Sequence, residues 1–378
     1  MNVAIVCYPT FGGSGVVATE LGLALSKRGH HIHFITYSLP VRLEALNDPN
    51  VHFHEVNVPD YPLFKYQPYE LALSSRLVDV VKANEIDVLH VHYAIPHAYA
   101  AYMAKKMLLD VGIQIPIVTT LHGTDITLVG SHPFYRPAVT FSINHSDRIT
   151  TVSESLKQDT LRLFDIRKKI DVVPNFIDFE RIKSKEKPCE RTLLAAKGEK
   201  ILTHISNFRP LKRILDVILI FEGVQSKVKS KLMMVGEGPE KAKAMQYVKE
   251  KGLDNQIFFL GNSNEIDKIL CYSDLFLLPS EKESFGLSAL EAMGHGVPII
   301  SSDAGGIPEV NKHGNTGYLS KIGDIESMVS NSLNLLENES RLLQFKKQAK
   351  AQAEKFNIKS VVDIYENIYV DAMQVIKY

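Results

Sequence analysis

Charge of one sign, long apolar runs and cysteine are what this sequence has least of. Lys plus Arg and Asp plus Glu each number 43, so the formal net charge is +0. That balance supplies neither the basic field that draws nucleic acid nor an acidic field for basic partners. No stretch approaches the roughly 18 uninterrupted apolar residues of a membrane helix. Met1 to Tyr8 lacks the charged start and the apolar length of a signal peptide. A cytoplasmic location with no integral membrane segment is the expectation. Cys7, Cys189 and Cys271 are odd in number, far apart and outside any metal-like spacing, which predicts reduced thiols. Also missing are a low-complexity tail, an Asp-x-Asp metal motif and any convincing repeat beyond two similar halves.

What is present is a chain of 378 residues, 45% hydrophobic and 23% charged, a globular composition and a length that suits two domains. Asn2 to Tyr8 is an apolar run of strand length. Pro9-Thr-Phe-Gly-Gly-Ser-Gly15 follows it, then a helical pattern from Val16 to Lys27 that Gly29 ends. A glycine-rich turn at the mouth of a parallel sheet can lay backbone N–H groups against phosphate, which makes Gly13 and Ser14 candidates. The dinucleotide fingerprint is not met, because Ala18 stands where its third glycine belongs. Further strands are predicted at His31–Tyr37, Val51–Val56, Val88–Tyr93, Pro116–His122 and Arg148–Ser153, and helices at Tyr69–Ala83, His97–Leu109 and Phe134–Asn144. The alternation predicts an α/β fold with doubly wound parallel sheets, whose ligands sit at the carboxyl ends of strands.

Several strand ends carry chemistry. His90 and His92 share a strand face, but no third ligand falls at a matching spacing, so metal is not expected. Tyr93 lies just past that strand end. Thr119-Thr-Leu-His-Gly-Thr-Asp125 closes another strand with His122, which either reaches a substrate or is satisfied by local backbone. In the second half, Asn207-Phe-Arg-Pro-Leu-Lys-Arg213 follows a strand at Ile201–Ser206 and precedes a helix at Ile214–Val224. Arg209 and Lys212 there can clamp a diphosphate. Strands at Lys231–Val235 and Ile257–Leu260 end in Gly236 and in Gly261-Asn262, where glycine permits close approach of a base or ribose. Leu275–Ser280 reads as a strand, and a helix is predicted from Phe285 to His295. Its first N–H groups, assigned to Phe285, Gly286 and Leu287, favour an anion. Glu283 before that helix and Glu291 within it can accept from sugar hydroxyls.

The wording Glu283-Ser-Phe-Gly-Leu-x3-Glu291 resembles the signature of the retaining glycosyltransferases of family 4. His122-Gly-Thr-Asp125, Val173-Pro-Asn-Phe-Ile-Asp178 and Asp303-Ala-Gly-Gly-Ile-Pro-Glu309 are similar to other segments of that family, in the expected order along the chain. The resemblance implies a GT-B architecture: two Rossmann-like domains facing a central cleft, with a C-terminal helix crossing back to the first. The boundaries are expected at residues 1–177, 178–355 and 356–378. It implies that His122 and Glu283 face the donor sugar, that Glu291 holds the ribose, and that the Gly261 loop reads uracil. Gly305 and Gly306 read as structural. One departure is Asn207, which stands where the family usually has Arg; Lys212 is therefore the firmest diphosphate ligand.

A likeness to one branch of the family lies in Cys7-Tyr-Pro-x-x-Gly-Gly-Ser-Gly15, His33-Phe-Ile-Thr36, Ser206-Asn-Phe-Arg209 and Ser280-Glu-Lys-Glu-Ser-Phe-Gly286. That branch opens bacillithiol biosynthesis. The resemblance implies transfer of GlcNAc from UDP-GlcNAc to the 2-hydroxyl of L-malate, with retention, by front-face attack and with no cofactor or metal. His122, Arg209, Lys212 and Glu283 are then the catalytic set. Ser14, Tyr93, Thr120 and Arg136 are the candidates to hold the dicarboxylate acceptor. Exposed helices of the first domain would permit a homodimer. The alternatives are a family 4 enzyme with another small-molecule or lipid acceptor, for which Lys105-Lys106-Met-Leu-Leu109 would be a surface patch, a catalytically silent nucleotide-sugar binder, and a sugar-nucleotide epimerase.

Overall fold

A computed structural model describes all residues except 11, 42, 44–47, 185–190, 192–193, 264 and 377–378. The chain folds as two compact units, Met1–Asn175 together with the segment from Ile358 onward, and Phe176–Asn357. These divisions fall two residues from the ones expected at 177/178 and 355/356.

The first unit runs β1 (Asn2–Val6), α1 (Gly13–Ser26), β2 (His31–Thr36), β3 (Val51–Glu55), α2 (Tyr69–Asn84), β4 (Val88–His92), α3 (Tyr99–Leu109), β5 (Ile117–Leu121), α4 (Arg136–His145), β6 (Arg148–Thr151), α5 (Glu154–Leu163) and β7 (Ile170–Val172). Its parallel sheet has the order β3-β2-β1-β4-β5-β6-β7. Val3 to Val6 of β1 are apolar and 0% exposed, as a central parallel strand covered on both faces requires. Leu89 and Val91 of β4 join Ala4, Val6, Leu73 and Leu77 in a core on one side. The alternate residues His90 and His92 point to the other side.

The second unit runs α6 (Phe179–Ser184), β8 (Lys200–Ile205), α7 (Ile214–Gln225), β9 (Ser230–Val235), α8 (Lys241–Glu250), β10 (Ile257–Gly261), α9 (Ile266–Tyr272), β11 (Leu275–Leu278), α10 (Leu287–Gly294), β12 (Ile299–Ser302), α11 (Ile307–Val310), β13 (Gly317–Ser320), α12 (Ile325–Leu336) and α13 (Glu339–Ala353). Its sheet has the order β10-β9-β8-β11-β12-β13, also parallel. The last helix, α14 (Ile358–Ile376), returns to the first unit. Arg28 past the end of α1 pairs with its Asp363 at 2.6 Å and Glu366 at 3.0 Å. Tyr365 and Tyr369 of the same helix are buried against the polar side of β4 and β5.

Four sequence expectations change. α1 starts at Gly13, not Val16, so the glycine-rich residues form its first turn. α10 starts at Leu287, so Phe285 and Gly286 precede it. The short edge strands β7 and β13 and the helix α5, capped by Ser153 Oγ accepting from Leu156 N at 3.0 Å, were not anticipated. Cys271 is disulfide-bonded, so three reduced thiols are not what the structure holds. Cys7 is free and buried, with its thiol pushed up to about 12 by burial, and Cys189 lies outside the described residues. Among the described residues no helix is long and apolar enough to cross a membrane.

Candidate active site

In each sheet the strand order reverses once, between β1 and β4 and between β8 and β11. Connections leave such a pair in opposite directions and open a crevice at the strand ends, the usual ligand position in doubly wound sheets. Both crevices hold a polar pair drawn from the two flanking strand ends.

In the first unit that pair is Ser14, in the opening turn of α1, and Tyr93, just after β4. The Tyr93 hydroxyl donates to Ser14 Oγ at 2.7 Å. Tyr93 has a φ of 85°, a strained value for a non-glycine residue, and its N–H donates to Thr120 O at 2.9 Å. Its ring lies 5.2 Å from that of His122. Asp125 ties the two loops together, its carboxylate accepting from Ala94 N at 2.9 Å, Gly123 N at 2.9 Å and His122 N at 3.2 Å. Burial raises the Asp125 carboxyl to about 6, against the pull of those N–H donors. His122 is half-buried, and desolvation, with His97 nearby, lowers it to about 3, so it is neutral at pH 7.

Two acceptor candidates do not join this group. Thr120 is 0% exposed, and its Oγ1 is taken up by His90 Nε2 at 2.8 Å, Thr150 Oγ1 at 2.7 Å and Tyr365 OH at 3.1 Å. It supports the sheet from beneath and offers no surface to a substrate. Arg136 begins α4, donates from Nη2 to Leu163 O at 2.6 Å and lines a groove of about 650 Å³ with Ser131, Phe141, Asn144 and Arg167. None of the groove's lining residues belongs to the Ser14–Tyr93–His122 group. The basic patch considered for a lipid also shrinks, because Lys105 pairs with Asp147 at 2.6 Å and Lys106 lies over the Tyr102 ring at 5.4 Å.

In the second unit the pair is Lys212, on the 3-10 turn Pro210–Lys212 after β8, and Glu283, in the loop after β11. Lys212 Nζ and Glu283 Oε1 form a close ion pair whose side chains are only 16% and 11% exposed. Ser280 Oγ donates to the same carboxylate oxygen at 3.0 Å. Beneath them, buried His204 donates from Nδ1 to Leu277 O at 2.8 Å and so accepts at Nε2 from Ser206 Oγ at 2.7 Å. Burial lowers His204 to about 4. Arg209, Asn207 and Asn262 are exposed. Glu291 is half-buried on α10, one turn past the helix start.

Gly286 has a φ of 90° as the residue leading into α10, which delivers the N–H groups of Leu287, Ser288 and Ala289 at the helix end. Of the three donors expected, only Leu287 belongs to that turn. The Phe285 ring is buried edge-on against Phe356 at 5.6 Å, so only its backbone is available. Gly305 and Gly306 form the shelf under this loop, since a Cβ on them would stand 2.0 Å from Glu283 O and 2.3 Å from Ser284 O. Gly261, at the end of β10, has Glu237 Oε1 3.1 Å from where its Cβ would be.

Gly236 at the end of β9 is more constrained still. Its φ is 125° and a Cβ would stand 1.8 Å from Ser206 O. Gly236→Ala is expected to destabilise the second unit by at least about 2 kcal/mol. Gly252→Ala, at φ 67° with nothing within 4 Å, is expected to cost about 1 kcal/mol. Denaturant midpoints check this, and equal shifts for the two would contradict the close packing.

Asp125, His92, His97, His204, Ser206 and Ser280 shape these groups and were not among the site residues read from sequence. Register joins His92 to His122, Asp125 to Ala94 and His204 to Leu277 across strands, whereas Ser280, Ser206 and His97 act on partners two to five residues away in strand-end loops that carry no period.

Residues 11–181 match the family model Glycosyltransferase Family 4, and residues 188–352 match Glycosyl transferases group 1. Over 377 residues the chain is 46% identical to N-acetyl-alpha-D-glucosaminyl L-malate synthase of Bacillus anthracis, spanning 99% of this chain and 98% of that protein. It is 25% identical to 2-deoxystreptamine N-acetyl-D-glucosaminyltransferase of Niallia circulans over 87% of this chain and 90% of that protein. Anabaena HepE, solved in complex with UDP and glucose, has a TM-score of 0.79 at 19% identity, covering 97% of this chain and 99% of that one, a likeness of fold.

Proposed function

Because the chain belongs to the family 4 glycosyltransferases, together with the Bacillus anthracis synthase, we propose that it moves GlcNAc from UDP-GlcNAc to the 2-hydroxyl of L-malate with retention. It is an enzyme of that glycosyltransferase class, with the GT-B fold. What carries the finer reading is the 46% identity along the whole chain to a protein so named. The intact Lys212–Glu283 pair at a strand-order reversal supports it.

In this reading the second unit takes the donor. Lys212, Arg209 and the start of α10 face the diphosphate, Glu283 and His122 the GlcNAc, and Glu291 the ribose. Gly236, Gly261 and Asn262 border the nucleoside, Asn207 lies beside the diphosphate and Gly13 in the turn of α1. Ser14 and Tyr93 are the acceptor-side groups that remain after Thr120 and Arg136 are withdrawn. The malate hydroxyl attacks C1 on the face that UDP leaves. The C1–O bond to the β-phosphate breaks, and the departing phosphate oxygen takes the hydroxyl proton. The growing charge on UDP is balanced by fixed donors, and the proposal includes no metal.

The test is UDP release from UDP-GlcNAc by the purified chain with L-malate, against D-malate, inositol phosphate, glycerol and no acceptor, with EDTA in a parallel set. Release that depends on L-malate and ignores EDTA is expected, with an α-linked product by NMR. Release with another acceptor only would move the protein elsewhere in the family, and loss of activity in EDTA would end the metal-free mechanism.

A further inference from the structure

His92 ends β4 and is 0% exposed. Its Nδ1 lies 2.7 Å from His122 Nε2, with the two rings stacked at 5.0 Å. A contact that short between two ring nitrogens requires a proton between them, and it can sit on either. The rest of the hydrogen-bond accounting decides which.

His92 Nε2 is buried with no hydrogen-bond partner. If His122 donated, neutral His92 would carry its own proton on Nε2, leaving a buried N–H unpaired. If His92 donates, the unpaired atom is a lone pair. An orphaned N–H is the costlier and rarer of the two. Neighbouring His97 follows the same economy: its Nδ1 donates to His92 O at 2.6 Å, and the nitrogen left without a partner is Nε2, a lone pair. A doubly protonated ring is disfavoured by burial throughout this group.

We propose that His92 is a positioning residue that donates its Nδ1–H to His122 Nε2 and thereby fixes the His122 proton on Nδ1, the nitrogen presented to substrate. His122 Nδ1 makes no hydrogen bond among the described residues and is not a buried atom. His122 therefore offers the substrate a neutral N–H donor, held in orientation by Asp125 through its backbone and by His92 through its ring. His90 supports His92 from below, stacked at 4.5 Å and anchored by Tyr369 OH at 2.7 Å. The role in turnover rests on the reading that His122 meets the donor sugar; the tautomer does not.

Long-range 1H–15N spectra of 15N-histidine protein, assigned with His122→Gln and His92→Phe, read the tautomer without any substrate. The expected result at pH 7 and at pH 5.5 is neutral His122 with its proton on Nδ1, and His92 likewise. A proton on Nε2 of either ring overturns the proposal. In turnover, His92→Phe is expected to lower kcat about tenfold or more, with each KM within about twofold of wild type. His92→Gln, whose amide can donate, is expected to recover part of the loss. An unchanged kcat in His92→Phe removes the positioning role. Should the wild type release no UDP, the functional reading fails alone, because the spectra still decide the proton's place.

Discussion

In the proposed transfer, replacing Lys212 by Ala is expected to lower kcat for UDP release by on the order of 2 to 4 kcal/mol of transition-state stabilisation, with a much smaller rise in the KM for UDP-GlcNAc. The ammonium sits on a short turn after β8, and its contact with Glu283 after β11 leaves little freedom to either side chain. Negative charge on UDP grows as the C1–O bond breaks, so a fixed cation gains more from the transition state than from the bound donor. A purely structural account is available, in which Lys212 serves to neutralise a carboxylate that is only 11% exposed. The two accounts separate in a double-mutant cycle. If Lys212 only balances Glu283, Lys212→Ala costs little in a protein that already carries Glu283→Gln, because no charge is left stranded. If Lys212 stabilises the leaving group, Lys212→Ala slows the Glu283→Gln protein about as much as it slows the wild type. Steady-state kinetics on the four proteins, with thermal midpoints to confirm folding, decide it. An unchanged kcat in Lys212→Ala would remove the catalytic role outright.

The Lys212–Glu283 pair was legible because each residue lies in a single loop directly after a strand, so sequence spacing places it. Thr120 was misread for a reason that spacing could not reveal. It shares a strand face with His122, but lies two residues deeper, about 6.6 Å along the strand, where α14 covers the sheet with Tyr365 and Tyr369. His122 emerges past that cover and Thr120 does not. Knowing this requires knowing which face a helix more than 200 residues later will occupy. Arg136 is near His122 in sequence, but its guanidinium is taken up by Leu163 O and lines a groove to which Ser14, Tyr93 and His122 do not contribute. The strands β1, β4, β5, β8 and β11 were readable as apolar or alternating runs. β7 and β13, at the sheet margins, have three and four residues, too few for a period to register. The histidines were visible one by one, while their mutual bonds depend on register between β4 and β5, in which His92 pairs with Thr120.

Those buried histidines are expected to make the first unit acid-sensitive above the range where carboxylates usually act. His90 is lowered to about 3, His97 to about 4 and His92 well below the ordinary value, in each case chiefly by burial. All three are 0% exposed. At pH 5 the folded chain keeps them neutral, whereas each takes up a proton once unfolded, where the pKa is about 6.5. Their contribution to stability is complete above that value and is lost as pH falls toward 4. Asp125 acts in the opposite sense. Raised to about 6, it favours the fold at low pH and loses that contribution as pH rises through its folded value. Near pH 5 these three histidines and His122, itself lowered to about 3, take up about four protons on unfolding and Asp125 releases about one, so this group alone lowers stability by about 4 kcal/mol per pH unit of acidification. Guanidinium unfolding followed by far-UV circular dichroism at pH 7, 6 and 5 measures this, and His90→Asn isolates the cause. That variant loses the bonds to Tyr369 and Thr120 and unfolds more easily at pH 7, yet its slope near pH 5 is shallower by about 1.4 kcal/mol per pH unit, one proton fewer. Equal slopes in the variant and the wild type would assign the acid sensitivity to other groups and leave His90 with a packing role alone.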